Sequence, residues 1–300
     1  MVTSFYQIFE LLKSKPKKRL VAAYANDSHT IGAVSMAVDT GIVDATLVGD
    51  TATIQAVCKQ EQIDCCKFHI VQEADETKAA FKAVEFVNKG EGDLLMKGLC
   101  STDKYMRAIL NKETGLLPPK AVLSHVSLMS TTAYGKMLVF GDIAVIPAPD
   151  LHQKIAICNY LINTARALGI EKPKVAVIAA TEQMSPAMQA CVDAAIISKM
   201  GERGQIKNAY IDGPLAVDVA IDKESAEIKK VGGPVAADAD CLLFPNIEAG
   251  NTFYKTIGKF TNAQLAAIVA GAKAPCVLSS RGDTIETKLN SIALAAMMAK

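Results

Sequence analysis

Short runs of aliphatic residues alternate with longer amphipathic stretches along almost the whole chain. The short runs predict strands over residues 19–24, 45–48, 68–71, 93–96, 121–128, 137–140, 144–146, 174–178, 241–244 and 276–278. The longer stretches predict helices, for example over 30–40, 51–59, 76–89, 151–168 and 263–270. Interleaved strands and helices are typical of βαβ units, so the pattern predicts an α/β fold with mostly parallel sheets. The runs 138–139 and 144–146, joined through Gly141-Asp142, predict a hairpin instead.

A second α/β domain is indicated near the middle of the chain. A loop containing proline, 147–150, precedes the long predicted helix from Leu151, and the segment 169–173 then leads into a fresh strand. The pattern alone leaves open whether the last predicted helix, 284–299, packs with the first half of the chain.

Composition and charge exclude several classes of protein. Hydrophobic residues make up 50% of the 300, which supports a large aliphatic core and excludes a disordered chain. Lys and Arg number 32 against 31 Asp and Glu, so no basic field predicts a nucleic-acid partner. The amino terminus does not resemble a signal peptide, and no apolar run approaches the ~20 residues that span a membrane. The eight cysteines form no CxxC pair, which favours reduced thiols in a cytoplasmic protein. No membrane partner is predicted.

The common cofactor and hydrolase motifs are absent. The sequence contains no GxxxxGK[ST] and no GxGxxG loop for a nucleotide, no HExxH for zinc, and no GxSxG nucleophile elbow. His152 opens a predicted helix, where capping or exposure is the simpler interpretation. His125 follows an aliphatic run, so it either lines a cleft or forms a hydrogen bond in the core. No metal site and no organic cofactor are predicted.

Polar residues cluster after the predicted strands 93–96, 241–244 and 276–278 and after Ile211. They are Lys97-Gly98, Asp212-Gly213-Pro214, the segment 245–251 with Asn246, Glu248 and Asn251, and the segment 279–284. In open α/β sheets, ligands bind outside the carboxyl ends of the strands. Each segment alone is as well explained by a helix N-cap, and Lys97 by a surface position. Together they favour an enzyme that binds an anion.

Ser280-Arg281 is the strongest of these signals. A hydroxyl, a guanidinium and a following helix N-terminus are three kinds of donor for a phosphate group. Asp283 and Glu286 follow closely, so either carboxylate is a candidate base. This combination suits phosphoryl or acyl-phosphate chemistry better than hydride transfer.

Several long segments resemble one family in order along the chain. They are NDSHTIGAVSMAVDTGIVDATLVGD (26–50), GDIAVIPAPD (141–150), IDGPLAVDVAI (211–221), KKVGGPVAADAD (229–240), CLLFPNIEAGNTFYK (241–255) and LSSRGDTIETKLNSIALA (278–295). This set is similar to the phosphate acetyl/butyryltransferases. The sequence DGPLAVD is closer to the butyryltransferase branch than to the acetyltransferase branch, which usually has DGELQ at this position.

The resemblance implies an activity and a fold. The activity is reversible transfer of an acyl group between acyl-CoA and inorganic phosphate, with butyryl-CoA as the expected substrate. CoA and phosphate are then substrates, and no cofactor is needed. The fold is a two-domain, three-layer αβα architecture akin to isocitrate and isopropylmalate dehydrogenases. Residues 1–146 plus 275–300 would form the first domain and 147–274 the second, with the active site in the cleft between them. Relatives are usually homodimers or larger homo-oligomers.

The resemblance also implies roles for individual residues. Arg281 would contact phosphate or the acyl carbonyl, and Ser280 would donate near the thioester. The family's catalytic carboxylate follows a few residues after the serine, so Asp283 and Glu286 are equally good candidates for it. The remaining matches are expected to bind substrate: Lys97, Gly98, His125, Asp212, Asn246, Glu248 and Asn251.

Three other functions remain open from the sequence. A phosphate acetyltransferase would differ only in the size of its acyl pocket. A catalytically silent acyl-CoA-binding protein would keep the fold and lose turnover. A decarboxylating dehydrogenase would need metal-binding aspartates and a nucleotide loop, which the sequence lacks.

Overall fold

The computed structural model describes residues 1–279 and 282–300 and divides the chain into two compact units. The terminal unit consists of Phe5–Leu123 and Leu265–Lys300, and the central unit of Met1–Ser4 and Ser124–Gln264. Both units are discontinuous, and the final helix is in the same unit as the amino-terminal strands. The borders of the two units lie at 123/124 and 264/265, and the strands of residues 124–141 pair within the central unit.

The terminal unit is built mainly from βαβ repeats. Its elements are α1 (Phe5–Lys13), β1 (Lys18–Ala23), α2 (Ser28–Asp39), β2 (Val43–Gly49), α3 (Thr51–Gln60), β3 (Phe68–Gln72), α4 (Glu76–Asn88), β4 (Leu94–Lys97), α5 (Thr102–Ile109), β10 (Gln264–Ala270), β11 (Cys276–Val277) and α11 (Ile285–Met298). The strand order is β3-β2-β1-β4-β11-β10, and all neighbours are parallel except β10 and β11. The carboxyl ends of β1, β4 and β11 therefore lie at one edge of this sheet.

The central unit repeats the architecture with one hairpin. Its elements are β5 (Ser124–Thr131), β6 (Tyr134–Gly141), α6 (Leu151–Ala167), β7 (Lys174–Ile178), α7 (Gln189–Glu202), β8 (Tyr210–Leu215), α8 (Val217–Ile221), α9 (Lys223–Ile228), β9 (Cys241–Leu243) and α10 (Ile247–Phe260). The order is β5-β6-β9-β7-β8, with only β5 and β6 antiparallel. The α/β class and the mostly parallel pairing are confirmed, and the arrangement fits a three-layer αβα fold.

The predicted hairpin across Gly141-Asp142 is wrong. Residues 144–146 form no strand, because the buried Asp142 carboxylate accepts hydrogen bonds from the backbone N–H groups of Ala144, Val145 and Ile146 at 2.8, 2.9 and 3.2 Å. Backbone donors held by a side chain are not available to a neighbouring strand. The hairpin of this region is β5–β6, with its turn near Ala133.

The predicted helix over 263–270 is also wrong. Alanine-rich segments favour helix by intrinsic propensity, but this one is strand β10, buried along most of its length and paired with β11. The backbone N–H of Ala267 also donates to the Ser291 hydroxyl of α11 at 2.9 Å. Burial between a neighbouring strand and a helix outweighs the helical preference of alanine.

The Asp212-Gly213-Pro214 segment does not follow the end of a strand, as expected. It lies inside β8, whose neighbour β7 pairs with it on either side of a register shift. Elsewhere the predicted strands agree with the structure, and 174–178 has the same bounds as β7. Among the described residues, none of the helices is both long enough and apolar enough to cross a membrane.

Candidate active site

A cavity of about 210 Å³ lies in the terminal unit at the carboxyl ends of its strands. It is lined by Asp27, His29, Thr30, Lys97, Gly98, Leu99, Ser279 and Lys288. These residues come from the first turn of α2 and the residue before it, the end of β4, the residues after β11, and α11. The topology thus brings together four segments that are far apart in the sequence, at the edge where α/β sheets bind ligands.

Lys97 is the last residue of β4 and is only 4% exposed. Its ammonium donates to the carbonyl oxygens of Gly98 at 3.1 Å and Cys100 at 2.8 Å. Glycine at position 98 permits this turn, since a Cβ there would lie 2.8 Å from the carbonyl oxygen of Ala23. The surface position considered for Lys97 is therefore wrong, and its charge is buried at the cavity wall.

Lys288 lies in the first turn of α11 and is 5% exposed. Its ammonium donates to the Ser279 hydroxyl at 2.8 Å. Burial lowers the pKa of Lys288 below its usual 10.5, against the opposite influence of the Asp27 and Asp283 carboxylates, while the charge of Lys97 lowers it further. Lys288 is therefore a buried cation whose hydrogen-bond partner is a neutral hydroxyl.

Asp27 brings a carboxylate to the same cavity. It is the N-cap of α2, and its Oδ1 accepts the backbone N–H of Thr30 at 2.9 Å. Its other oxygen, Oδ2, is buried and has no hydrogen-bond partner among residues 1–279 and 282–300. An unsatisfied buried acceptor is uncommon in folded proteins and calls for an explanation.

Of the four predicted catalytic residues, Ser280 and Arg281 lie outside the described part of the chain. Asp283 is half-buried and acts electrostatically on Lys288. Glu286 is exposed in the first turn of α11. The choice of base between Asp283 and Glu286 stays a prediction.

The other predicted binding residues belong to the central unit. The ring of His125 contacts the Ser127 hydroxyl at 3.4 Å from a buried position in β5, which is the core interpretation of this histidine. Asp212 accepts the backbone N–H of Gly213 at 2.8 Å and borders a separate cavity of about 580 Å³.

The Asn246–Asn251 segment is explained by the packing of α10. Asn246 is its N-cap and accepts the N–H of Ala249 at 2.9 Å, whereas Glu248 is exposed in the first turn. Asn251 donates to the carbonyl oxygen of Ile143 at 3.0 Å, one turn along the helix. These contacts give the two asparagines structural roles, and their binding of substrate stays a prediction.

Sequence reasoning missed Asp27 and Lys288. In the sequence, Asp27 has only the features of a helix N-cap. Lys288 did carry a signal, because it lies three residues after Ile285 and four before Ile292, on the side of α11 where apolar residues recur. A lysine in an apolar stripe predicts a buried charge. Among the described residues no cluster of His, Cys, Asp and Glu could hold a metal ion.

The fold and this cavity define an α/β protein with a cation-lined pocket at its strand ends. The family model "Phosphate acetyl/butaryl transferase" matches residues 3–81 and 66–296, so the chain belongs to that family. It is 46% identical to phosphate butyryltransferase from Clostridium acetobutylicum, over 100% of this chain and 99% of that one. It is 38% identical to phosphate acetyltransferase from Thermotoga maritima, over 98% and 99%. A branched-chain phosphotransacylase from Enterococcus faecalis V583 has a similar structure, with a TM-score of 0.82 and 27% identity over 94% of this chain and 100% of that one.

Proposed function

We propose that this chain transfers an acyl group reversibly between coenzyme A and inorganic phosphate, and that butyryl-CoA is its preferred acyl donor. The observation that carries the proposal is the family match, which extends over residues 3–296 in two overlapping segments. Family membership makes the chain an acyltransferase. The butyryl preference is supported by the full-length similarity to a phosphate butyryltransferase at 46% identity, against 38% for an acetyltransferase.

The charge balance of the terminal-unit cavity supports phosphate as a substrate. Lys97 and Lys288 are both buried at the cavity wall, and Lys288 has no carboxylate within ion-pair distance in the structure's described ranges. Burying a charge is costly unless an opposite charge accompanies it. A phosphate anion would supply that charge, and the N-terminus of α2 would add backbone donors to the same side.

Two residues outside the described ranges complete the proposed site. From the family resemblance, Arg281 holds phosphate and offsets charge in the transition state, and Ser280 donates to the thioester. Both directly follow Ser279, whose hydroxyl lies at the cavity wall against Lys288. Ser280 and Arg281 are therefore next in sequence to a residue that lines the cavity.

The proposed reaction is direct transfer. A phosphate oxygen attacks the thioester carbon, the carbon–sulfur bond breaks, and the products are acyl phosphate and CoA, which leaves as the thiolate and takes up a proton. In the reverse direction a carboxylate, Asp283 or Glu286, accepts the CoA thiol proton. Holding two anionic reactants together is the main barrier, so orientation supplies much of the rate. Both reactants are substrates, and the scheme needs no cofactor and no cysteine nucleophile.

A cytoplasmic location and a homo-oligomeric assembly belong to the same proposal, and both rest on the sequence and the family resemblance.

The test is loss of thioester absorbance with acetyl-, propionyl-, butyryl- and isobutyryl-CoA, each with and without phosphate. Direct absorbance avoids the background that eight protein thiols give with a thiol reagent. We expect loss that depends on phosphate and is fastest with butyryl-CoA. A maximum with acetyl-CoA would assign the acetyltransferase activity instead. CoA binding without any phosphate-dependent loss would leave a silent acyl-CoA-binding protein.

A further inference from the structure

Asp27 and Lys288 line one cavity, and each has hydrogen-bonding capacity that the protein leaves unused. Asp27 Oδ2 is buried without a donor within the described ranges. Lys288 Nζ carries three protons and makes one hydrogen bond to the described residues, to Ser279. Leaving buried donors and acceptors unpaired costs about 1–3 kcal/mol each, and more for charged groups. A ligand that both accepts and donates hydrogen bonds would satisfy both groups.

The unused atoms specify the chemistry of that ligand. Lys288 needs an acceptor and, with Lys97, favours an anion. Asp27 Oδ2 needs a donor, and an unprotonated anion beside it would be repelled. Hydrogen phosphate meets both needs because it has unprotonated oxygens and a P–OH group. Sulfate has the same shape and charge, but at neutral pH it carries no proton.

We propose that Asp27 selects protonated inorganic phosphate by accepting a hydrogen bond from its P–OH group, while Lys288 donates to an unprotonated phosphate oxygen. This inference rests on the proposed function, since it names how the phosphate substrate of that reaction is recognised. Asp27 is then a specificity-determining residue that excludes sulfate. Its helix cap is made by Oδ1, which leaves Oδ2 for the ligand.

The variant Asp27→Asn isolates this role. Asparagine is as good an N-cap as aspartate, and its carbonyl oxygen keeps the bond from Thr30. The amide NH₂ then takes the place of Oδ2 and turns an acceptor into a donor. A donor at that position suits sulfate as well as phosphate.

A matched control exists in the same unit. Asp75 caps α4 by accepting the backbone N–H of Lys78 at 2.8 Å, and it is not among the residues that line the cavity. Asp75→Asn makes the same substitution at the same kind of helix position. Lys288→Met serves as a second variant, because it removes the ammonium and keeps an unbranched side chain.

The measurement is isothermal titration of the purified protein with inorganic phosphate and with sulfate, with and without free CoA and without acyl donor. We expect the wild type and Asp75→Asn to bind phosphate more tightly than sulfate. In Asp27→Asn the ratio of the two affinities should fall by at least about tenfold, the low end of a hydrogen bond to a charged group, mainly because sulfate binds more tightly. Lys288→Met should weaken both anions.

Three results would overturn the inference: equal affinity of the wild type for the two anions, an unchanged ratio in Asp27→Asn, or no binding of either anion. The titration needs no turnover. A failed acyl-transfer assay with the expected anion ratios would therefore reject the proposed function alone, and turnover without anion selectivity would reject this inference alone.

Discussion

Two buried lysines, one in each unit, differ in what compensates their charge. Lys154 of α6 lies 2.6 Å from the Asp193 carboxylate of α7, and both side chains are about 95% buried, with exposures of 6% and 5%. Gln189 donates to the second oxygen of Asp193 at 2.8 Å. Lys288 is as deeply buried, but its partner is the hydroxyl of Ser279. Lys154 is hydrogen-bonded to a carboxylate, whereas the hydrogen-bond partner of Lys288 is a neutral hydroxyl.

The comparison separates a structural ion pair from a binding group. Burying two opposite charges costs desolvation energy, which their mutual attraction largely offsets. Removing one of the two charges therefore destabilises the fold. A buried cation beside a neutral partner contributes little to stability and keeps its charge for another anion. Lys154 should therefore matter for folding and Lys288 for turnover.

The largest expected effect is on stability, in Lys154→Met. This change leaves Asp193 buried without its cation, so the free energy of unfolding should fall by about 3–5 kcal/mol. Urea unfolding followed by circular dichroism measures the difference. The folded fraction should keep its kcat for phosphate-dependent acyl transfer. A stable Lys154→Met enzyme with lost turnover would reverse the assignment of the two lysines.

The next effect is on turnover, in Lys288→Met. Removing a charged donor from a transition-state site costs about 10²–10³ in rate, and we expect a loss of kcat/KM for phosphate in that range. The free energy of unfolding should stay equal or rise, because an uncompensated buried charge is removed. Initial rates and urea unfolding on the same preparation supply both numbers. A destabilised variant with normal kcat/KM would show that Lys288 is structural.

Stability should also respond to pH through Lys288. Burial lowers the pKa of its ammonium below 10.5 in the folded state, with Lys97 acting in the same direction and Asp27 and Asp283 against it. The unfolded chain then binds more protons between the folded pKa and 10.5, so stability rises with pH in that window, by at most about 1.4 kcal/mol per pH unit. The energetic cost of burying the Lys288 ammonium is fully present below the folded pKa and disappears as the pH approaches 10.5. Unfolding of the wild type minus that of Lys288→Met isolates this slope, and a flat difference would contradict it.

The smallest expected effect concerns Asn246 of the central unit. Asn246→Ala removes the N-cap of α10 and should lower the free energy of unfolding by about 1 kcal/mol. Asn246→Asp keeps the cap and should keep the stability. Because Asn246 is also predicted to bind substrate, we expect Asn246→Asp to raise the KM for acyl-CoA. An unchanged KM in the aspartate variant would restrict Asn246 to its capping role.

The sequence predicts the α/β class because hydrophobic periodicity is local. β7 has its predicted bounds, and Leu151 begins α6 as expected. The errors occur where a specific side-chain hydrogen bond or a tertiary contact determines the structure. Residues 144–146 are held by the Asp142 carboxylate, and the alanines of β10 are buried against α11 and β11. Neither contact can be predicted from residue propensity or from the hydrophobic pattern.

The site was predictable in part for the same reason. Lys97 and Gly98 lie at a strand end, which is visible in the sequence, and both line the cavity. Asp27 was not predicted, because its chemistry depends on one oxygen that α2 leaves unused. Lys288 needed the observation that a charge interrupts an apolar stripe. Ser280 and Arg281 were predicted from sequence and family resemblance, and they lie outside the described residues.

The most direct test of the account is phosphate binding by Lys288→Met, compared with the wild type by isothermal titration. The account predicts that the wild type binds inorganic phosphate and that the variant, folded and at least as stable, loses about tenfold or more in affinity, as expected for a lost charge-assisted hydrogen bond. Equal affinities in the two proteins would contradict it, because Lys288 would then have no part in holding phosphate.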